Sequence, residues 1–261
     1  MIQLNFKEYG SGENYLVILH GFLGTLDNWH TLAQAWAEQG LHVFSLDARN
    51  HGKSPHTASH SIALMVEDVK DFLTQQKINS TAILGHSMGG KVAMQFALTY
   101  PDLTTRIIVA DIAPRAYRSG AHDEVFKAIT NVDLNRAQTR KEIEQSMAVY
   151  LGDMGTRQFI MKSLERVDDA HYRWKFNAQV LQRDYIQILH EINSPTPYLK
   201  PVIFLKGDQS LYIQEKDHFL INKLFPQADI ITIERAGHWL HADSPQQVFQ
   251  KVKDFLYSTS L

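Results

Sequence analysis

AILGHSMGGKVAMQFA, residues 82–97, begins as an apolar run, turns through Gly85-His86-Ser87-Met88-Gly89, and continues with Val92, Ala93, Phe96 and Ala97 at the spacing of one helix face. A chain that turns so sharply from strand to helix needs small residues on both sides of the turn, and Gly85 and Gly89 supply them. Ser87 is then lifted onto a strained, exposed corner at a helix N-terminus, where orphan N–H groups and the helix dipole favour developing negative charge. A helix N-cap serine in a glycine-rich turn has the same local pattern. The strand before and the helix after are the context that makes Ser87 the candidate nucleophile.

Working outward, LVILHG (16–21), HVFSLD (42–47) and RIIVAD (106–111) read as further buried strands, as do VIFLKG (202–207) and ADIITIE (228–234). Helical spacing fills the gaps: 26–39, 62–77, with Ile62, Met65, Val66, Val69, Phe72 and Leu73 in one stripe, and 88–100, stopped by Pro101. Strands alternating with helices at this spacing predict a mostly parallel sheet flanked by helices. The alternation lapses between Pro114 and Pro197, where helices alone are expected at 123–130, 136–151, 156–167 and 178–192, and a closing helix comes at 245–257. The expected organisation is an α/β core of residues 1–113 and 198–261 with a helical cap, 114–197, inserted at two strand ends. Ligands of open α/β sheets bind beside such carboxyl ends.

The composition narrows the function. With 44% hydrophobic and 21% charged residues, the 261-residue chain can bury one substantial core. A formal charge of −2, from 26 Lys and Arg against 28 Asp and Glu, leaves no global field for nucleic acid or anionic lipid. The absence of Cys excludes disulfides, thiolate metal sites and a Cys nucleophile. No apolar run exceeds Tyr15 to Leu19, and MIQLNFKEYG has no h-region, so a soluble cytoplasmic protein without membrane insertion is expected.

A serine hydroxyl needs a base within hydrogen-bond reach. Of thirteen histidines, His238 stands out because Ala236-Gly237-His238-Trp239 comes after the last strand, and this architecture places its His last. His241 is the nearest rival, although it reads as the start of the closing helix; His20, His51 and His86 sit in turns and are expected to brace loops. An oxyanion needs two fixed donors. The amides of Met88, after the nucleophile, and Phe22, in His20-Gly21-Phe22-Leu23-Gly24, are the natural pair.

HGFLG, GHSMGG and AGHW resemble the α/β-hydrolase superfamily, and Asp47-Ala48-Arg49-Asn50-His51-Gly52-Lys53-Ser54 with Asp111-Ile112-Ala113-Pro114 is similar to the YbfF-type esterases, along the whole chain and including Trp174-Lys175-Phe176-Asn177 of the cap. The superfamily's usual acid comes after a later strand as G-x-x-D. Here that place reads Gly207-Asp208-Gln209-Ser210, so Ser210 occupies it and Asp208 lies two residues early. The resemblance instead implies Asp111 as the acid, with Ser210 hydrogen-bonding near the Asp111 and His238 pair and Asp208 as the alternative acid. Asp47, Arg49 and Asn50 read as a turn held by local pairing.

The expected activity is that of a serine carboxylesterase, hydrolysing short- to medium-chain acyl esters through an acyl-enzyme, with no metal and no cofactor. Acyl-CoA thioesters are a variant the resemblance implies, with Arg115, Arg118 and Lys127 as candidate phosphate contacts. Phe126, Met147, Tyr150, Phe159, Met161, Trp174 and Phe176 are candidates to wall the acyl pocket. C–C hydrolases, lactonases and perhydrolases use the same three residue types, and a ligand receptor with an idle triad is the non-enzymatic alternative.

Overall fold

Strands covered by helices on both faces are buried along their whole length, and Thr81–His86 is buried at every residue, with the apolar Ala82, Ile83 and Leu84 at its centre. The structure, a computed structural model, describes residues 2–136, 139–168 and 171–258. The chain runs β1 (Phe6–Tyr9), β2 (Asn14–Leu19), α1 (His30–Ala37), β3 (Leu41–Leu46), α2 (Ile62–Gln75), β4 (Thr81–His86), α3 (Met88–Thr99) and β5 (Thr104–Ala110). It then makes α4 (Asp123–Asn131), α5 (Arg140–Ala148), α6 (Met154–Lys162), β6 (Leu164–Arg166), β7 (Tyr172–Trp174), α7 (Ala178–Arg183) and α8 (Ile186–Leu189). It returns with β8 (Val202–Gly207), α9 (His218–Leu224), β9 (Ala228–Ile233), α10 (Leu240–Asp243) and α11 (Pro245–Tyr257).

Seven strands form one sheet in the order β1-β3-β2-β4-β5-β8-β9, parallel except for β1 against β3. Side chains alternate between two cores. Val17, Ile83, Val109 and Phe204 pack with α2 and α3 on one face, and Ile18, Leu84, Ile108 and Leu205 pack with α1 and α11 on the other. Among the described residues no helix is long and apolar enough to cross a membrane.

Six of the sheet's seven strands match the sequence reading, and three corrections follow. The edge strand β1, FKEY, is absent from that reading; it is short, half-exposed and carries Lys7 and Glu8, so no apolar period marks it. The helix expected over 26–39 divides into a 3-10 turn, Leu26–Trp29, and α1. The segment between β5 and β8 is not helical throughout. It contains the hairpin β6–β7, in which Glu165 and Arg173 face each other and pair at 2.7 Å, and the helix expected over 178–192 breaks between α7 and α8. At that break Asp184 accepts the His60 amide at 2.9 Å and pairs with Arg183, which turns Tyr185 inward against Phe22.

This segment is tied to the sheet at its ends by Lys91, one turn beyond Ser87 on α3. The buried Lys91 ammonium donates to the carbonyls of Arg115 and Leu189, 3.1 Å each, and to that of His190. Burial and, after it, the Arg115 guanidinium push Lys91 down from its ordinary 10.5 to about 7. Between those values the unfolded chain binds the extra proton, so Lys91's contribution to stability rises as pH climbs through that window and is lost on the way back down. Urea unfolding is expected to show wild type gaining on Lys91→Met as pH is raised from about 7 towards 10.5. A gap that ignores pH would mean the folded ammonium keeps its proton.

Candidate active site

The turn that carries Ser87 is fixed by backbone contact. A Cβ at Gly85 would lie 2.1 Å from the Gly89 carbonyl oxygen, and one at Gly89 would lie 2.3 Å from that of Leu19. Only glycine lets strand and helix approach so closely. The turn puts Ser87 at φ 51°, a left-handed conformation rare for a side chain with Cβ. Its amide bonds to the Ala110 carbonyl at 3.0 Å, which clamps the turn to the end of β5.

Asp111 is the first residue past β5, rather than its last, and it too is left-handed, at φ 50°. Its amide bonds to the Leu205 carbonyl at 2.9 Å. The carboxylate is fully buried and its acceptors are filled: Oδ1 by the Gly207 amide at 3.1 Å, Oδ2 by the Ser210 hydroxyl and by Nδ1 of His238 at 2.8 Å. The strand order explains the assembly. Because β8 lies between β5 and β9, Ser210, just after β8, is beside Asp111, and the loop after β9 reaches across to it.

Asp208 does something else. Its carboxylate accepts the amides of Arg235 and Ala236, 3.0 Å each, and these bonds hold its pKa below the usual range. It therefore braces the loop that carries His238 and does not meet the imidazole. From the other side, the buried His86 Nε2 bonds to the His238 carbonyl at 2.8 Å. Tyr212, which nothing in the sequence singles out, lies flat on the His238 ring, centroids 3.8 Å apart and planes 15° apart. It stands two residues beyond Ser210, and its amide bonds to the Ser210 hydroxyl at 3.2 Å.

His20, His51 and His241 have structural contacts instead. His20 bonds the Gly21 carbonyl at 2.7 Å and accepts the Ala48 amide at 3.0 Å; His51 bonds the Arg49 carbonyl at 2.9 Å and accepts the Leu23 amide at 3.1 Å. Burial lowers the pKa of both, which keeps them neutral, and these bonds fix the proton on Nδ1. His241 is stacked on Trp29 at 4.5 Å, and burial, with Lys162 next, pushes it down to about 3. Among the described residues no three His, Asp or Glu side chains converge as a metal site.

Asp47 and Arg49 do not pair with each other. Asp47 accepts the Leu26 and Lys53 amides at 2.8 and 2.9 Å, while Arg49 grips Asp68 through two bonds of 2.6 and 2.7 Å. Asn50 is left-handed, and its carbonyl accepts the Asn177 amide at 2.9 Å, joining the two segments that carried the resemblance.

Ser87 and His238 line one cavity of about 440 Å³, together with Gly21, Phe22, Gly120, His122, Glu124, Val125, Leu151, Thr156, Tyr212 and Trp239. A narrow recess of about 40 Å³ continues past Ser87 and Met88 towards Ile112, Tyr185, Ile188 and Leu189. None of the seven side chains expected to wall the pocket lines either space. Phe159 stacks on Trp239 behind the wall, Trp174 on Phe176, and Met147 is core, so each of these side chains is spent on packing. Arg115 is also committed, to Asp217 at 3.0 Å and to the Tyr117 ring at 3.9 Å.

A family profile described as the alpha/beta hydrolase fold matches residues 14–245. The chain is 36% identical over 247 residues to the sn-1-specific diacylglycerol lipase ABHD11 of Mus musculus, covering 92% of this chain and 80% of that one. It is 35% identical over 241 residues to Esterase YbfF of Escherichia coli K12, covering 92% of each. A solved marine microorganism esterase superposes with a TM-score of 0.94 at 40% identity, over 98% of this chain and 100% of that one. With the parallel sheet and the serine turn in place, these relationships establish a hydrolase: the chain belongs to the α/β-hydrolase family, in the esterase group that includes YbfF.

Proposed function

We propose that the protein is a serine carboxylesterase for short- to medium-chain acyl esters, and that residues 114–197 cap its active site. The observation that carries this reading is the 2.8 Å contact between His238 Nδ1 and the buried Asp111 carboxylate, in the cavity that Ser87 also lines. With Nδ1–H held by Asp111, Nε2 is the basic nitrogen left to take the Ser87 proton as the oxygen attacks the ester carbonyl. The imidazolium that forms is stabilised by Asp111 and by the face of Tyr212. The oxyanion is received by the Phe22 and Met88 amides; the neighbouring amides are spent, Leu23 on His51 and Ser87 on Ala110. His238 then protonates the leaving alcohol, and water repeats the cycle on the acyl-enzyme.

A cavity of about 440 Å³ suits a small substrate. The test is kcat/KM across acyl esters of increasing length, matched acyl-CoA thioesters and a long-chain triglyceride, with Ser87→Ala as control. Short and medium esters are expected to lead. Comparable rates on the triglyceride would overturn the capped small-acyl site, and faster turnover of the thioesters would move the assignment to a thioesterase.

A further inference from the structure

Two imidazoles line the cavity beside Ser87, and the esterase mechanism uses only His238. The other, His122, comes from the turn before α4 and lies at the junction of the cavity and its recess. Its Nδ1 is bonded to the Tyr185 hydroxyl. Tyr185 is buried, and burial raises its pKa, so the phenol keeps its proton. His122 Nδ1 is the only acceptor that proton has among the described residues. Nδ1 therefore accepts, and the ring's own proton sits on Nε2. Burial, with the His238 charge next, pushes His122 down to about 4, which keeps the ring neutral.

Nε2 has no partner among the described residues and is not enclosed by protein. Aromatic rings hold the imidazole in place: Phe22 meets the His122 ring edge-on at 5.7 Å, and Tyr185 is wedged between Phe22 and Phe126 at 5.3 and 5.2 Å. The N–H donor thus adjoins a space to which Phe22, Val125, Ile188 and Leu189 give apolar wall and Glu124 and Thr156 give polar wall. Water can satisfy it in the free enzyme. A hydrocarbon chain expels that water and offers nothing in return, whereas an oxygen at the same place replaces it.

We propose that His122 is a specificity-determining residue whose Nε2–H donates a hydrogen bond to an oxygen carried by the substrate a few bonds from its scissile carbonyl, so that the site selects oxygen-bearing esters over hydrocarbon esters of equal length. This role rests on the serine esterase reading.

The experiment compares matched substrates in a pH-stat assay: ethyl γ-methoxybutyrate against ethyl hexanoate for an acyl-side oxygen, and methoxypropyl acetate against pentyl acetate for an alcohol-side oxygen. The quantity read is the ratio of kcat/KM within each pair, in which effects on the shared chemistry cancel. In His122→Phe the preference for the oxygenated member is expected to fall about three- to tenfold in at least one pair, the worth of one net hydrogen bond, and His122→Gln, which keeps an N–H donor, is expected to restore part of it. Equal loss on both members of both pairs, or unchanged ratios, would overturn the proposal and leave His122 a packing residue. If the wild-type protein hydrolyses neither member in a Ser87-dependent way, the esterase reading itself fails, an outcome separate from a ratio that does not move.

Discussion

Replacing Ser87 with alanine is expected to lower kcat for acyl esters by about 100,000-fold while leaving the protein folded. Alanine keeps the Cβ that Ser87 already carries at φ 51°, so the variant bears the same backbone strain as the wild type and loses only the hydroxyl. The Ser87 amide, which ties the turn to Ala110, is untouched, and so are the Phe22 and Met88 amides. Binding should survive because the cavity walls survive, and what residual turnover remains would come from the oxyanion donors acting on water. His238→Ala should be nearly as damaging, and the double variant little worse than either single one, since a nucleophile and its base act as one unit. Single-turnover kinetics with a chromogenic acetate, alongside thermal unfolding, check both halves of the expectation. Activity within tenfold of wild type in a folded Ser87→Ala protein would remove the acyl-enzyme from the mechanism.

The second large effect is expected at Asp111. Its carboxylate accepts from the Gly207 amide on one oxygen and from Ser210 and His238 on the other. An asparagine has one acceptor oxygen for these two sides. If its NH2 faces Gly207, two donors collide. If it faces His238, the imidazole must turn to the tautomer that presents its proton to Ser87, which destroys the base. Asp111→Asn is therefore expected to cost about 1,000- to 10,000-fold in kcat. Asp208→Asn keeps an acceptor for one of the two loop amides it now holds, and its cost should stay below about tenfold. A steady-state comparison of the two variants decides the matter, and the reverse ranking would move the acid from β5 to β8.

Much of the fold is legible in the sequence for a physical reason. In β4 and β5 the runs Ala82–Leu84 and Ile107–Ala110 are apolar and buried, so burial writes itself into the sequence there, and the glycines around Ser87 are demanded because a Cβ at either would lie 2.1 or 2.3 Å from a backbone oxygen. The segment between β5 and β8 is less legible. Its β6–β7 hairpin has three residues a strand, too few to show a period of two, and the break before Tyr185 depends on Asp184 reaching His60. Tyr212 and His122 carry no local mark at all. Tyr212 meets His238 across 26 positions, and His122 meets Tyr185 across 63.

By itself the sequence determined six of the sheet's seven strands, the serine corner and the histidine after the last strand, because each rests on local rules of chain geometry and on apolar burial. Which carboxylate faces the imidazole was decided only in three dimensions. Asp111 and Asp208 both come after strands of the same sheet, but β8 stands between β5 and β9 and directs Asp208 to the backbone of the histidine loop, leaving Asp111 to meet Nδ1 of the ring. Pocket lining was decided there too, since whether an apolar side chain faces a cavity or its neighbours depends on what the rest of the chain leaves unfilled.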